Sequence, residues 1–372
     1  MPPAYQIRVY STDGELQAVV DRFRTLAIEH RVNYPSTLTL SLYGLDPTVP
    51  YFTLDSLVEV RRRVPEANLD WYTEYVGFHR TPQKQITSAN NRIFTSYSRG
   101  LLDLIKRRSI RYYSDTAGSA KGPAPADDVI KDYVRENAGS LATLANGRVD
   151  QDGTTQGLAV AADLSAAASY EGAHAWENLL DAIRNIGEPN LVDSDVVLTS
   201  HEPATFEFRT YYPQLGTDKR TGTANPFVFA PHLGNMSSPS HTQSRTDEIT
   251  SVLVLGPGED TLRDTTLRNS SHVTDSPWNL IELDQNASNE DRAAALTAIG
   301  DQVLFDKRPA VNFTFDVIQT PDATYHEHYQ LGDLVTARYD SDTPVVDVKI
   351  VAVTLTVERG HEVVKLELKE VD

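Results

Sequence analysis

The sharpest ligand-like spacing in the chain is Tyr325-His-Glu-His-Tyr329. On an extended strand alternate side chains share a face, so His326 and His328 would project together and could ligate zinc, with Asp322 as a third ligand. Nothing in the sequence fixes that third ligand, and a polar loop or edge strand accounts for the spacing better. The chain is therefore expected to hold no metal and no cofactor. Asp193 and Asp195 lack the Gly-centred spacing of a calcium loop. There is no Gly-x-Ser-x-Gly elbow, no His-Glu-x-x-His and no Gly-x-x-x-x-Gly-Lys loop, and Gly256-Pro-Gly258 reads as a turn. With 52 acidic residues, carboxylate pairs for hydrolysis are too abundant to be informative. A hydrolase built on His326, His328 or such a pair is the least favoured reading, and no catalytic activity is expected.

Arg61-Arg-Arg63 and Lys106-Arg-Arg108 with Arg111 could touch phosphate, but a solvated loop or an acidic protein partner explains them better. Trp71, Trp176 and Trp278 are expected to be core anchors. Asn-x-Ser/Thr matches at Asn235, Asn269, Asn286 and Asn312 are read as chance, because Met1–Tyr10 shows no secretory signal.

The elements that would position these residues are mostly strands. Ile7 and Val9 alternate with polar neighbours, and Ser11-Thr-Asp-Gly14 supplies a turn. Leu16, Val19, Val20, Phe23, Leu26 and Ala27 fall at helical spacing and predict a helix from Glu15. Leu38, Leu40 and Leu42 predict a half-buried strand, followed by strands at Leu54–Val60, Trp71–Phe78 and Ile93–Tyr97. In the middle, Ala126-Asp-Asp128 opens a helix with Val129, Ile130, Tyr133 and Val134 on one side. Residues 139–172 read as a long loop. A second helix is expected from about Ala173, carrying Trp176 and Leu179 and capped at Gly187. Strands return from Val196, with Thr205–Tyr211 alternating cleanly. Residues 213–247 read as mostly loop around a short strand at Phe227–Phe229. Val252–Leu255 is a further strand, and a helix over 287–305 is capped by Ser288 with Asp291. Strands over 311–318, 333–339, 346–356 and 362–370 close the chain.

These 372 residues suffice for more than one packed module. Expected boundaries are a first β module at 1–113, a helical or mixed insert at 114–195 and a second β module at 196–372. The fold class is α+β, dominated by β, with two related antiparallel barrel-like modules. No apolar run is long enough for a membrane helix. Zero cysteine excludes disulfides and thiolate chemistry, and a net charge of −18 argues against a duplex-binding protein. Charge is uneven: residues 1–113 hold 15 Lys and Arg against 11 Asp and Glu, the remainder 19 against 41. The absence of thiols fits assembly in a reducing cytoplasm.

The two ends resemble each other. Leu54-Asp-Ser-Leu-Val-Glu-Val-Arg61 aligns with Leu331-Gly-Asp-Leu-Val-Thr-Ala-Arg338, and Leu38-x-Leu40-x-Leu42 with Phe313-x-Phe315-x-Val317. Ile7-x-Val9 before Gly14-Glu15 similarly parallels Leu253-x-Leu255 before Gly258-Glu259. The shared order implies a duplicated module. Three copies of such a chain would present six similar modules about one axis, fit to meet a sixfold tube on one side and a threefold object on the other.

An ordered series of motifs carries a family resemblance. It comprises Leu54-x-x-Leu-Val58, Tyr75-Val-Gly-Phe78 and Ser98-Arg-Gly-Leu-Leu-Asp-Leu-Ile-Lys-Arg-Arg-Ser-Ile110. It continues with Ala126-Asp-Asp-Val-Ile130, the Trp176 region, Phe227-Val-Phe229 before Leu233-Gly-Asn235, Val254-Leu-Gly-Pro-Gly258 and Tyr329-Gln-Leu-Gly-Asp-Leu-Val335. Together these span most of the chain, which resembles the tail hub (baseplate hub) proteins of long-tailed phages, particularly those with non-contractile tails. The resemblance implies a homotrimer at the virion tail tip, assembled in the host cytoplasm, that adapts and closes the tail tube. It implies partners in the distal tail protein ring, the tape-measure protein and downstream tip or fibre proteins, with DNA passing without specific binding. An acidic wall would suit that passage. Longer relatives append wall-cleaving or host-binding domains, which are not expected of this chain. The alternative is a tail-tip or fibre module that binds host glycans through the 213–247 loops.

Overall fold

The computed structural model describes residues 3–87, 90–112, 120–144, 157–290, 292–339 and 345–371, the side chains of 310–312 excepted. Seven strands build the first module: β1 (Ala4–Tyr10), β2 (Leu16–Val20), β3 (Thr25–Arg31), β4 (Tyr34–Tyr43), β5 (Leu57–Val64), β6 (Leu69–Ile86) and β7 (Arg92–Gly100). They pair antiparallel in the order β3-β4-β7-β6-β5-β1-β2. The period of two in β4 is realised: Leu38, Leu40 and Leu42 are buried while Thr37, Thr39 and Ser41 face the other way. Burying each such leucine is worth roughly 1.5–3 kcal/mol over leaving it exposed.

The helix expected from Glu15 is instead the hairpin partner β2 followed by β3. Ala18 and Val20 are buried whereas Leu16 and Val19 are exposed, the alternation of a strand. β-branched Val19-Val20 and the Ser11–Gly14 turn favour extension over a helical stripe that is only coincidental. Gly14 (φ +94°) lies so close to the His201 carbonyl that a Cβ there would clash.

The insert comprises α1 (Asp103–Lys106), β8 (Ala120–Pro125), α2 (Ala126–Asn137), β9 (Leu158–Val160), β10 (Ser169–Ala173), α3 (Leu179–Gly187), β11 (Asp193–Ser200) and β12 (Thr205–Tyr211). A second core gathers Val129, Ile130, Tyr133 and Val134 of α2 with Leu180 and Ile183 of α3 and Phe206 and Phe208 of β12, and packs them against Tyr10, Leu57 and Phe78 of the first module. Since β12 pairs with β11 and β9, the insert runs through Tyr211 and does not end at 195. The stretch 139–172 is not wholly loop, because it holds β9 and part of β10.

Helix α3 starts later than expected. Trp176 sits at φ +62°, which no helix tolerates, and Asn178 caps the helix by accepting from the amides of Leu180 and Asp181 at 3.0 and 3.3 Å. Gly187 does not end it through a left-handed turn. It is needed because a Cβ would come within 2.5 Å of the Val192 carbonyl.

The second module has β13 (Asp218–Lys219), β14 (Val228–Phe229), β15 (Met236–Ser244), then a subdomain of β16 (Ser251–Leu255), β17 (Thr265–Asn269), β18 (Glu282–Asn286) and α4 (Ala293–Asp306). It ends with β19 (Ala310–Val317), β20 (Leu334–Arg338), β21 (Val345–Glu358) and β22 (His361–Glu370). The 213–247 stretch is therefore not mostly loop at its end: seven residues of the nine-residue strand β15 pair with β19. Helix α4 begins at Ala293, short of the predicted Ser288 cap, and Asp291 lies outside the described residues.

Both modules share one sheet and one core, because β3 of the first pairs with β21 of the second. The sheet path runs from β15 to β2, and no pairing joins those ends among the described residues. The barrel-like expectation is corrected accordingly: these are open antiparallel walls, not closed barrels. The face opposite the core carries Thr37, Thr39, Thr354 and Thr356, with Arg31, Arg99 and Lys365 set among Glu29, Asp316 and Glu367. It has charges of both signs instead of an acidic excess.

Candidate functional site

The repeat read from the sequence reappears as hydrogen-bonded register. In the first module the order is β3-β4-β7-β6-β5; in the second it is β15-β19-β22-β21-β20. Leu57 pairs with Phe78, and its counterpart Leu334 pairs with Lys349. One turn earlier, the Asp55 amide donates to the His79 carbonyl and the His79 amide to the Ser56 carbonyl, both at 2.9 Å. The Gly332 amide donates to Ile350 and the Ile350 amide to Asp333, again at 2.9 Å. Asp55 and Gly332 both have positive φ, at 65° and 86°. A bulge follows in each long strand, at His79/Thr81 and at Ile350/Ala352.

Leu38 pairs with Ser98 and Phe313 with Leu368, so the Leu38/Phe313 alignment also holds. The third sequence match does not. Leu253-x-Leu255 lies in the separate β17-β16-β18 sheet, and β13 and β14 take the place of β1 beside β20, running parallel to it. An apolar alternation before a glycine turn is too common to identify a strand's place.

A buried polar cluster ties the modules together. The Arg62 guanidinium on β5 makes a two-pronged contact with Glu362 on β22, at 2.9 Å from Nε and 2.6 Å from Nη2. Tyr5 also donates to Glu362, and Arg62 to the Tyr72 hydroxyl. Glu74 accepts from Tyr72 at 2.9 Å and Tyr325 at 3.2 Å, and lies 3.2 Å from His30 Nε2. Burial works against the Arg62 charge, but the hydrogen bonds and charge of Glu362 outweigh it and raise its pKa. Burial likewise opposes ionised Glu74, yet His30, Arg62 and Tyr72 hold its carboxyl below the usual value. The Arg61–Arg63 run thus encodes an internal fastener, which sequence spacing cannot reveal because its partner is 300 residues away.

Between the first module and the insert lies a cavity of about 370 Å³ lined by His30, Glu59, Glu74, Asp195 and His201 among others. Glu59 accepts from Tyr10 at 2.8 Å and Thr73 at 2.6 Å, so its oxygens, like those of Glu74, are engaged. Desolvation pushes the Asp195 carboxyl up to about 6, offset in part by the Val196 amide and the charges of His30 and Arg209. Asp193 lies elsewhere, accepting from Asn33 and paired with Lys349 at 2.5 Å.

The Tyr325–Tyr329 segment is a turn, not a strand, so His326 and His328 do not share a strand face. The His326 amide donates to the Tyr329 carbonyl at 2.8 Å. His326 (φ +76°) stacks on Tyr72 with centroids 3.9 Å apart, while His328 Nδ1 accepts from the Thr324 amide at 3.1 Å. Among the described residues no group of three or more His, Cys, Asp and Glu side chains is placed to hold a metal ion. Trp176 and Trp278 are 71% and 88% exposed, so neither anchors a core; Trp71 is half-buried under Arg63. Arg107 pairs with Asp103 at 2.6 Å, and Arg108 donates to the Asn137 carbonyl. Asn235 is buried, bridging Ala230 and Val228, which suits a structural role.

Among the described residues the large sheet leaves several stretches of edge uncovered, two of them on β15 and β6. Among the described residues β15 pairs only with β19, and nothing described covers its outer edge. β6 outruns β5, so residues 81–86 pair with β7 on one side and with nothing described on the other, and all six are exposed. No helix among the described residues is long and apolar enough to cross a membrane.

The fold matches solved tail proteins at low sequence identity. A tail protein from Neisseria meningitidis MC58 superposes with a TM-score of 0.58 at 10% identity, covering 100% of this chain and 97% of that one. The 43 kDa tail protein of prophage MuSo2 from Shewanella oneidensis gives 0.56 at 10% identity, covering 98% and 96%. Prophage tail protein gp18 from Listeria monocytogenes EGD-e gives 0.54 at 10% identity, covering 98% and 94%. No curated protein matches the sequence. A family model matches residues 6–368, in agreement with the phage-tail resemblance read from the motifs: the chain belongs to the Siphovirus ReqiPepy6 Gp37-like protein family.

Proposed function

We propose that this siphovirus-family protein is the tail-tip hub: a homotrimer whose six modules adapt the sixfold tail tube to threefold symmetry, close it and line part of the DNA conduit. The observation that carries the reading is the repeated strand order, β3-β4-β7-β6-β5 against β15-β19-β22-β21-β20. One chain thereby supplies two near-equivalent walls, as a threefold-to-sixfold adaptor requires. The tail-protein fold supports the placement. The hydroxyl-rich, mixed-charge face opposite the core supports a surface past which DNA slides without being held. The role is structural and needs no catalytic residue, metal or cofactor. Its partners would be the distal tail protein ring, the tape-measure protein and the downstream tip or fibre proteins, met after assembly in the host cytoplasm.

Mass measurement of the complex released from purified particles tests this reading. Three copies of the chain are expected, and one copy per particle would overturn it.

A further inference from the structure

The two modules are equivalent in register but not in pairing. Residues 352–358 of β21 run past β20 and are covered by β3, with Ala352 opposite Arg31, Thr354 opposite Glu29 and Leu355 opposite Ile28. The matching bulges make Thr81 the counterpart of Ala352, so residues 81–86 of β6 correspond to 352–357. In β6 nothing among the described residues covers that stretch. The counterpart of β3 is β15, since Ile28 pairs with Leu38 as His241 pairs with Phe313. Its corresponding edge is likewise uncovered among the described residues. One chain thus holds the covered form of this junction once, and the two halves of an unfilled copy on separate strands, the overhang of β6 and the terminal strand β15.

We propose that β15 of one copy pairs antiparallel with residues 81–85 of β6 in the next copy, repeating between chains the β3–β21 junction within the chain. This rests on the hub reading and names the surface that would close its ring. Transferring the register places Thr81 opposite Ser244, Gln83 opposite Thr242, Lys84 opposite His241 and Gln85 opposite Ser240. The two edges differ, so the contact is head-to-tail and repeats until the ring closes. Main-chain ladder bonds supply the attraction, as in strand addition generally. Pro82 on one edge and Pro239 on the other each withhold one amide from the ladder, and the remaining positions of both edges carry the bonds.

The chain has no cysteine, so an introduced pair reports contact directly. The Val32 amide donates to the Val351 carbonyl at 2.9 Å, which by alternation makes Thr354–Glu29 a non-hydrogen-bonded pair with close Cβ atoms. Glu29→Cys with Thr354→Cys should therefore close within one chain, and Gln83→Cys with Thr242→Cys should close between chains. Both inter-chain sites are exposed, and circular dichroism checks that each variant is folded. Under oxidation the Gln83→Cys/Thr242→Cys protein is expected to run as a covalent trimer on a non-reducing denaturing gel. A trimer by native mass with the intra-chain control closed, but without this crosslink, overturns the edge pairing while the hub reading stands. A monomer by native mass with no inter-chain crosslink overturns both.

Discussion

The two modules keep the same strand order yet treat their loops and edges differently. Between β3 and β4 the first module has a two-residue turn at Val32-Asn33, whereas between β15 and β19 the second carries residues 245–309, with a small sheet and helix α4. The first covers β5 with antiparallel β1; the second covers β20 with parallel β13 and β14. The hydrogen-bonded ladders, bulges and left-handed turn positions are held in common. Everything that varies lies where a sheet tolerates insertion, at hairpin tips and outer strands. The comparison teaches that the wall is the retained unit and the decoration is free to diverge.

The largest effect should come from the fastener between the modules. Arg62→Leu strands the Glu362 carboxylate in a buried site and should cost about 3–5 kcal/mol, read by denaturant unfolding. Adding Glu362→Leu should recover a substantial part of that loss, since no charge is then left unpaired. If the double variant is as unstable as the single, the cluster does not act as a charge pair.

Equivalent core positions come next. Leu40 and Phe315 occupy matching places on β4 and β19, both buried. Leu40→Ala should cost about 2–5 kcal/mol and Phe315→Ala about 3–5 kcal/mol. Because the modules share one core, each variant should lower a single unfolding transition. Two separate transitions would show that the modules fold independently.

The smallest effect concerns pH and separates the two long strands. His79 on β6 is matched by Ile350 on β21. Burial pushes the His79 imidazole down to about 4. The folded state therefore binds fewer protons than the unfolded state between about pH 6.5 and 4, so stability falls as pH drops through that window. His79→Gln should flatten the slope of unfolding free energy there. An unchanged slope would place the acid sensitivity elsewhere.

Much of the wall was legible in the sequence. Leu38-x-Leu40-x-Leu42 and the Leu-x-x-Leu-Val-x-x-Arg pair gave their strands and their equivalence, because alternation and turn spacing are local signals. The Ala126–Asn137 helix was legible for the same reason. What the sequence concealed was non-local. Leu16–Ala27 satisfied a helical stripe by accident, and only the pairing of β2 with β1 and of β3 with β4 and β21 decides for strands. Arg62 looked like one of three surface arginines until Glu362 was beside it. The His326/His328 spacing suggested a ligand pair only on the premise of a strand, and the chain turns there instead.

The central claim is that one chain contributes two equivalent walls to a threefold ring. Image averaging of the purified tail tip tests it most directly. Threefold density containing six similar β walls, abutting a sixfold tube ring, is expected. Six copies of the chain in a ring, or a single asymmetric copy beside the tube, would contradict it.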